Sequence, residues 1–205
     1  MKLWSIQPVA RWERLQRDGL LRAHRVDPDH HYPGAYRFMR EKLIERVGAP
    51  PQESDWPIWA WYHYDGAKKP SPDLRCSALL VPGERGVRIE LEIPEERVLL
   101  SDFDAWCAVL IGAAMLEGEA EVERFWKECA EVGLPNGWGM TWEDTDKVLA
   151  HPDFGERMRR SWNQIFDLDW HNDYWNDPPG MKAIQAVFWE IRREDVRKVD
   201  FFTGR

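Results

Sequence analysis

The stretch GVRIELEIP (86–94) alternates without a break. Val87, Ile89, Leu91 and Ile93 take one parity; Arg88, Glu90 and Glu92 take the other. A period of two predicts an antiparallel strand with one wet face. LWSIQ (3–7) predicts a short strand, with Leu3 and Ser5 facing one way and Trp4 and Ile6 the other. PIWAWYHYDG (57–66) carries large residues at both parities: Trp59, Trp61 and His63 against Ile58, Ala60, Tyr62 and Tyr64. Such a strand is expected at the centre of a sheet, covered on both sides. CSALLVP (76–82) predicts a further apolar strand, and the tight link PGERG makes 76–93 a hairpin. VLLSDFDAW (98–106) predicts a short strand running into a helix, with Ser101 and Asp104 as its capping pair. The tail AIQAVFWEIRREDVRKVDFF predicts a strand, a charged turn and a final strand.

Between these runs the period lengthens toward 3.6. PVARWERLQRD predicts a helix with Val9, Trp12, Leu15 and Gln16 as its buried stripe and Gly19 as its stop. PGAYRFMREKLIERVG (33–48) puts Tyr36, Met39, Leu43, Ile44 and Val47 on one helical face. EAEVERFWKECAEVG (119–133) does the same with Val122, Phe125, Trp126, Cys129 and Val132. Thr141 caps a short helix, TWEDTDKVLA, and FGERMRRSWNQIFD (154–167) turns Met158, Trp162, Ile165 and Phe166 inward. Roughly seven strands and six helices result, in mixed order and without regular βαβ alternation. The expected fold is α+β: one domain over residues 1–205, with a mixed, mostly antiparallel sheet of about six to seven strands and flanking helices.

Composition narrows the function classes. A net charge of −8 argues against nucleic acid as a partner, because that binding needs a basic footprint. The longest uncharged apolar run, AWCAVLIGAAML (105–116), is too short to cross a bilayer as a helix. Three cysteines without CxxC spacing fit reduced thiols, and the charged start leaves no signal-peptide core. The expectation is a soluble, cytoplasmic protein. The 13 tryptophans are the unusual feature. Indoles fill cores, and they also wall ligand pockets.

The densest chemistry lies in DLDWHNDYWNDPPG (167–180). Asp167, Asp169, His171 and Asp173 occupy alternate positions, as in a calcium loop. The sixth position is Asn172 rather than Gly, and the twelfth is Pro178 rather than a bidentate Glu, so calcium does not fit. A transition metal would need His171 with Asp169 or Asp173 and His30 or His31, but no ligand spacing such as HExxH appears. Nucleophile-elbow, GxGxxG and Walker A patterns are absent too. NGWG (136–139) reads as a loop around Trp138. What remains is strand decoration. Gln7 ends the first strand, Trp59, Trp61 and His63 share a face, and Gln185, Val187 and Trp189 share another. Indole walls with a few amides suit a flat ring. A tryptophan-rich core explains the same residues equally well.

Two resemblances add to this. LWSIQ with WERLQRDGLL, PIWAWY, LLSDFDAW, SWNQIFD and QAVFWEIRREDVRKVDFF resemble a bacterial family of uncharacterised proteins, a domain of unknown function. The opening strand, helix and Gly-Leu exit also resemble ADP-ribosyltransferase-like domains. That resemblance implies an NAD- or nucleotide-using cleft lined by Gln7, Trp59, His63, Gln185 and Trp189, with Asp169 or Asp173 of the acidic loop touching the target. The sequence departs from the pattern in three places. Ser5 stands where a His is usual, Gln7 where Thr or Ser is usual, and Val187 where the catalytic Glu of Gln-x-Glu belongs. Two further readings stand beside it: a non-catalytic small-molecule or protein binding module, and a metal-dependent enzyme centred on His171.

Overall fold

Alternation, helical period and breakers give the following element order in the computed structural model, which describes residues 1–24 and 32–205. The elements are β1 (Lys2–Pro8), α1 (Val9–Asp18), β2 (Leu20–Arg22), α2 (Pro33–Arg46), β3 (Ile58–His63), β4 (Arg85–Glu92), β5 (Leu99–Asp102), α3 (Phe103–Leu110), α4 (Glu119–Glu131), α5 (Trp142–Ala150), α6 (Pro152–Trp162), β6 (Ile184–Phe188), β7 (Glu190–Arg192) and β8 (Val196–Thr203). The fold is α+β. Six strands form one sheet in the order β5-β6-β3-β1-β4-β8, and β2 pairs with β7. The pairings β6–β3, β3–β1, β1–β4 and β4–β8 are all antiparallel. The chain forms two units: Met1–Val26, Arg40–Leu100 and Ala183–Arg205 make the first; Asp27–Met39 and Ser101–Lys182 make the second.

The first unit is organised by β1 and β4. The pairing of Leu3 with Leu91, Ser5 with Ile89 and Gln7 with Val87 puts these six side chains on one face. Leu15 of α1, Leu21 of β2 and Ile191 of β7 complete the same core. Val87, Ile89, Leu91 and Ile93 are wholly buried, as the alternation predicts, and each stabilises by about 1.5–3 kcal/mol. Gly19 ends α1 with φ 75°, and its N–H donates to the Leu15 carbonyl. Leu15 alone of the predicted stripe is fully buried, and Gln16 is exposed. β3 is central, but only Ile58 and Ala60 are buried; Trp59 and Trp61 on its other face are half-buried.

CSALLVP is not a strand, and the 76–93 hairpin does not form. Both edges of β4 are already taken, by β1 and by β8, so the segment has no ladder to join. It runs as turns, with Val81 exposed and Leu80 folded down onto Gly86. A side chain at Gly86 would meet the tip of Leu80 and the edge of the Phe202 ring.

The second unit is helical and uses its tryptophans as hydrogen-bond donors. The apolar run 105–116 is helical only to Leu110; beyond Gly112 (φ 69°) it is irregular and buried. Its backbone therefore needs partners from elsewhere. Trp142 Nε1 donates to the Leu110 carbonyl, Trp162 Nε1 to Ala113 and Trp175 Nε1 to Leu116, while Ser161 Oγ accepts from the Met115 N–H. Around this segment pack Phe38 against Trp162 and Phe125 against Phe154. Asp102, not Ser101, caps α3, accepting from the N–H groups of Asp104 and Ala105. Thr141 caps α5 as predicted. The predicted stripe of α4 is buried except for Val132.

Candidate functional site

The strand-borne residues lie in the first unit, and sheet register decides which of them meet. Trp61 sits between Trp4 of β1 and Gln185 of β6, so these three side chains share a face. Trp59 is opposite Val187 on that same face. Gln7 is not with them. It has the parity of Leu3 and Ser5, which is the buried core face, and it is 4% exposed. Its amide is spent within the protein: Nε2 donates to Ser5 Oγ, which donates to the Trp59 carbonyl, and Oε1 accepts from Arg11. A β-bulge between Trp61 and His63 pairs His63 with Ile184, off the Trp61–Gln185 line. His63 stacks on Tyr62 at 4.2 Å, and burial holds its pKa below the usual imidazole value.

Trp189 is the hinge where the chain leaves β6 for β7. It is buried and donates Nε1 to the Gly48 carbonyl. With Pro51, Arg97 and Arg192 it lines a hollow of about 200 Å³. Gln185 keeps one unusual property: its buried Oε1 has no partner among the described residues. Val187 is wholly buried, and the nearby Glu190 is committed to Arg22 and Arg192 at 3.0 and 2.8 Å. Burial pushes the Glu190 pKa up, but those two guanidinium groups outweigh it and hold the carboxyl below its ordinary value. Asp55 joins the same network through Arg22, and Asp195 through Arg97, whose Nη2 donates to the Glu190 carbonyl.

The acidic loop belongs to the second unit, and Asp167, Asn172 and Asn176 bond its own backbone. Asp167 Oδ1 accepts from the N–H groups of Asp169 and Trp170, and Asn172 Oδ1 from that of Tyr174. His171 pairs with Asp173 at 2.9 Å, and both Asp169 and Asp173 are exposed. No group of three potential metal ligands occurs among the described residues, and His30 and His31 lie outside them.

The loop is pinned by residues outside any motif. Lys182 Nζ reaches Asp102 Oδ2 at 3.0 Å, with both side chains fully buried. Asn176 Nδ2 donates to the same carboxylate at 2.8 Å and also to the Trp170 carbonyl, and Lys182 shares that carbonyl. Asp102 therefore caps α3 with one oxygen and holds the loop with the other. Burial, and then the charges of Asp102 and Asp177, raise the pKa of the neighbouring Asp104.

A second feature the sequence left unassigned is an aromatic groove of about 360 Å³, lined by Glu119, Val122, Glu123, Trp126 and Lys127 of α4 with Trp138 and Tyr174. NGWG explains the first wall. Gly137 (φ 91°) and Gly139 (φ 83°) take left-handed conformations with open space at each Cβ, so glycine is needed there for the turn. They leave Trp138 58% exposed. Tyr174, from the acidic loop, is 48% exposed. Both rings lie against Trp175, Tyr174 edge-on at 4.7 Å and Trp138 at 6.4 Å. Trp175 is itself buried and anchored through the Leu116 carbonyl. On its other side Trp138 lines a second groove of about 440 Å³ with Ile111 and Trp142.

No helix among the described residues is long and apolar enough to cross a membrane. No curated protein matches this chain, and no solved structure matches it. A family model described as a domain of unknown function, DUF3841, matches residues 2–197. The chain therefore belongs to the DUF3841 family.

Proposed function

We propose that this protein is a binding module that holds a small molecule in the groove walled by Trp126, Trp138 and Tyr174. The observation that carries this reading is the pair of exposed rings held against one anchored indole. Exposing a Trp and a Tyr side by side leaves apolar surface in water, and a protein gains nothing in stability from doing so. A rigid aromatic wall contributes to affinity because few rotamers are lost on binding. The groove is lined by no histidine, cysteine, serine or threonine, so binding without turnover suits it better than nucleophilic catalysis.

An NAD- or nucleotide-using cleft is the second reading. Its support is the face shared by Trp59, Trp61 and Gln185, with the unpartnered Gln185 oxygen. Gln7 and Glu190 do not contribute to it, since each is committed within the protein. Two measurements separate the readings. Choline and neohexanol, two small probes of the same shape, are titrated against the intrinsic fluorescence. Saturable quenching by either one, lost in Trp138→Ala, is the expected result; quenching by neither would sink the groove. Release of nicotinamide from NAD, lost in Gln185→Ala and retained in Trp138→Ala, would favour the cleft instead.

A further inference from the structure

The charge around the groove points to its ligand. We infer that the groove selects a small organic cation with an alkylated ammonium head, an inference that rests on the groove being the binding site. Three rings line it, and the faces of Trp and Tyr carry negative π-density that attracts such a cation. An alkylated ammonium also loses less hydration on entering an apolar cleft than a bare ammonium does, and its methyl groups pack on the indoles.

The acidic side chains are the second, independent observation. Glu119, Glu123 and Lys127 follow one another at four-residue spacing along α4 and all three line the groove, giving a net negative wall. Glu119 lies in the first helical turn, where the helix dipole favours an acid in any case. Glu123 is beyond that turn, so the dipole does not account for it. The chain's overall charge of −8 adds a field that draws cations and repels anions. Phosphorylated and carboxylated ligands would meet two carboxylates and only one ammonium there.

Choline and neohexanol separate this inference from the reading beneath it. The two differ in having nitrogen or carbon at the quaternary centre, and so in charge rather than shape. Choline is expected to bind at least about two-fold more tightly, since cation–π attraction at exposed rings is worth at least about 0.5 kcal/mol. A smaller preference overturns the cation while leaving the groove as a binding site; no saturable binding of either removes both. The flanking charges give a signature that a structural role would not. Glu123→Gln weakens choline binding by about two-fold or more and Lys127→Ala strengthens it, while neohexanol binding changes in neither. Shifts in the same direction, or none, overturn the electrostatic selection. Tyr174→Leu keeps apolar bulk and removes the ring, so it lowers choline affinity more than neohexanol affinity; an equal effect on both would count against ring–cation recognition.

Discussion

Lys182→Met tests the buried anchor of the acidic loop. The substitution preserves most of the stem and removes the charge 3.0 Å from Asp102. At an effective dielectric of about 20, two charges at that distance attract by about 5.5 kcal/mol. Desolvation of two fully buried ions offsets much of this, so the intact pair contributes little net stability. Breaking it is different. Asp102 would keep the N–H groups of Asp104 and Ala105 and the Asn176 amide, but its charge would be buried without a counter-ion. The expected loss is about 3–5 kcal/mol. For a chain of this size that corresponds to a Tm drop of roughly 6–20 °C, using about 2–4 °C per kcal/mol. Urea denaturation at neutral pH, followed by tryptophan fluorescence and checked by calorimetry, reads it directly. The double variant Asp102→Asn/Lys182→Met removes both charges and should lose at least about 1 kcal/mol less than the two single losses added together. A single-variant loss below about 1 kcal/mol would mean the pair acts like an exposed one, and strict additivity would mean the two groups are not coupled.

Cysteine reactivity should follow environment. A hydrogen bond from Tyr64 lowers the Cys76 thiol pKa, while burial raises that of Cys107 and pushes Cys129 up to about 11. Iodoacetamide at mildly alkaline pH should therefore modify Cys76 first, and Tyr64→Phe should slow it; earlier labelling of Cys107 or Cys129 would contradict this. Burial, and then the bond to Cys76, push the Tyr64 phenol up to about 12. A folded pKa above the unfolded value of about 10 means this contribution to stability is intact below pH 10 and fades as pH rises through 12. Burial also raises the Tyr36 phenol, so ultraviolet titration should show late-titrating tyrosines, and one of them should be missing in Tyr64→Phe. Gly155→Ala would put a methyl 2.2 Å from the Leu149 carbonyl oxygen, where α6 crosses the end of α5. Despite better helix propensity it should cost about 1–3 kcal/mol, and a thermal melt no lower than the parent's would show that the helices can part.

Much of the secondary structure was legible because it is local. The alternation of 86–94 has one wet and one dry face, so its period of two survives in the sequence, and the turn of αL glycine at Gly19 follows from the lack of a Cβ. The same logic misled at 76–82. An apolar run shows that residues avoid water, but not whether a sheet edge is free to receive them, and β1 and β8 had taken both edges of β4. Ser101 and Asp102 are adjacent, and only backbone geometry selects Asp102 as the cap. NGWG did carry a signal for an exposed ring, in its two glycines, but its partners sit on other elements, Trp126 on the preceding helix and Tyr174 in the acidic loop beyond two more helices.

By itself, then, the sequence determined the class of fold, most elements and the inward face of several of them, such as Val87, Ile89 and Leu91 of β4. Those properties depend on periodicity and on residue identity at fixed spacing. Only the tertiary structure separated Gln7 from Trp59 and Trp61, because strand parity within a sheet depends on register with neighbours that are distant in sequence. It also joined Asp102 to Lys182, eighty positions apart, and stood Trp138 and Tyr174 against one anchored indole. Such contacts arise when folding removes water from groups that must then find partners, and a single chain read in order does not say which partners those are.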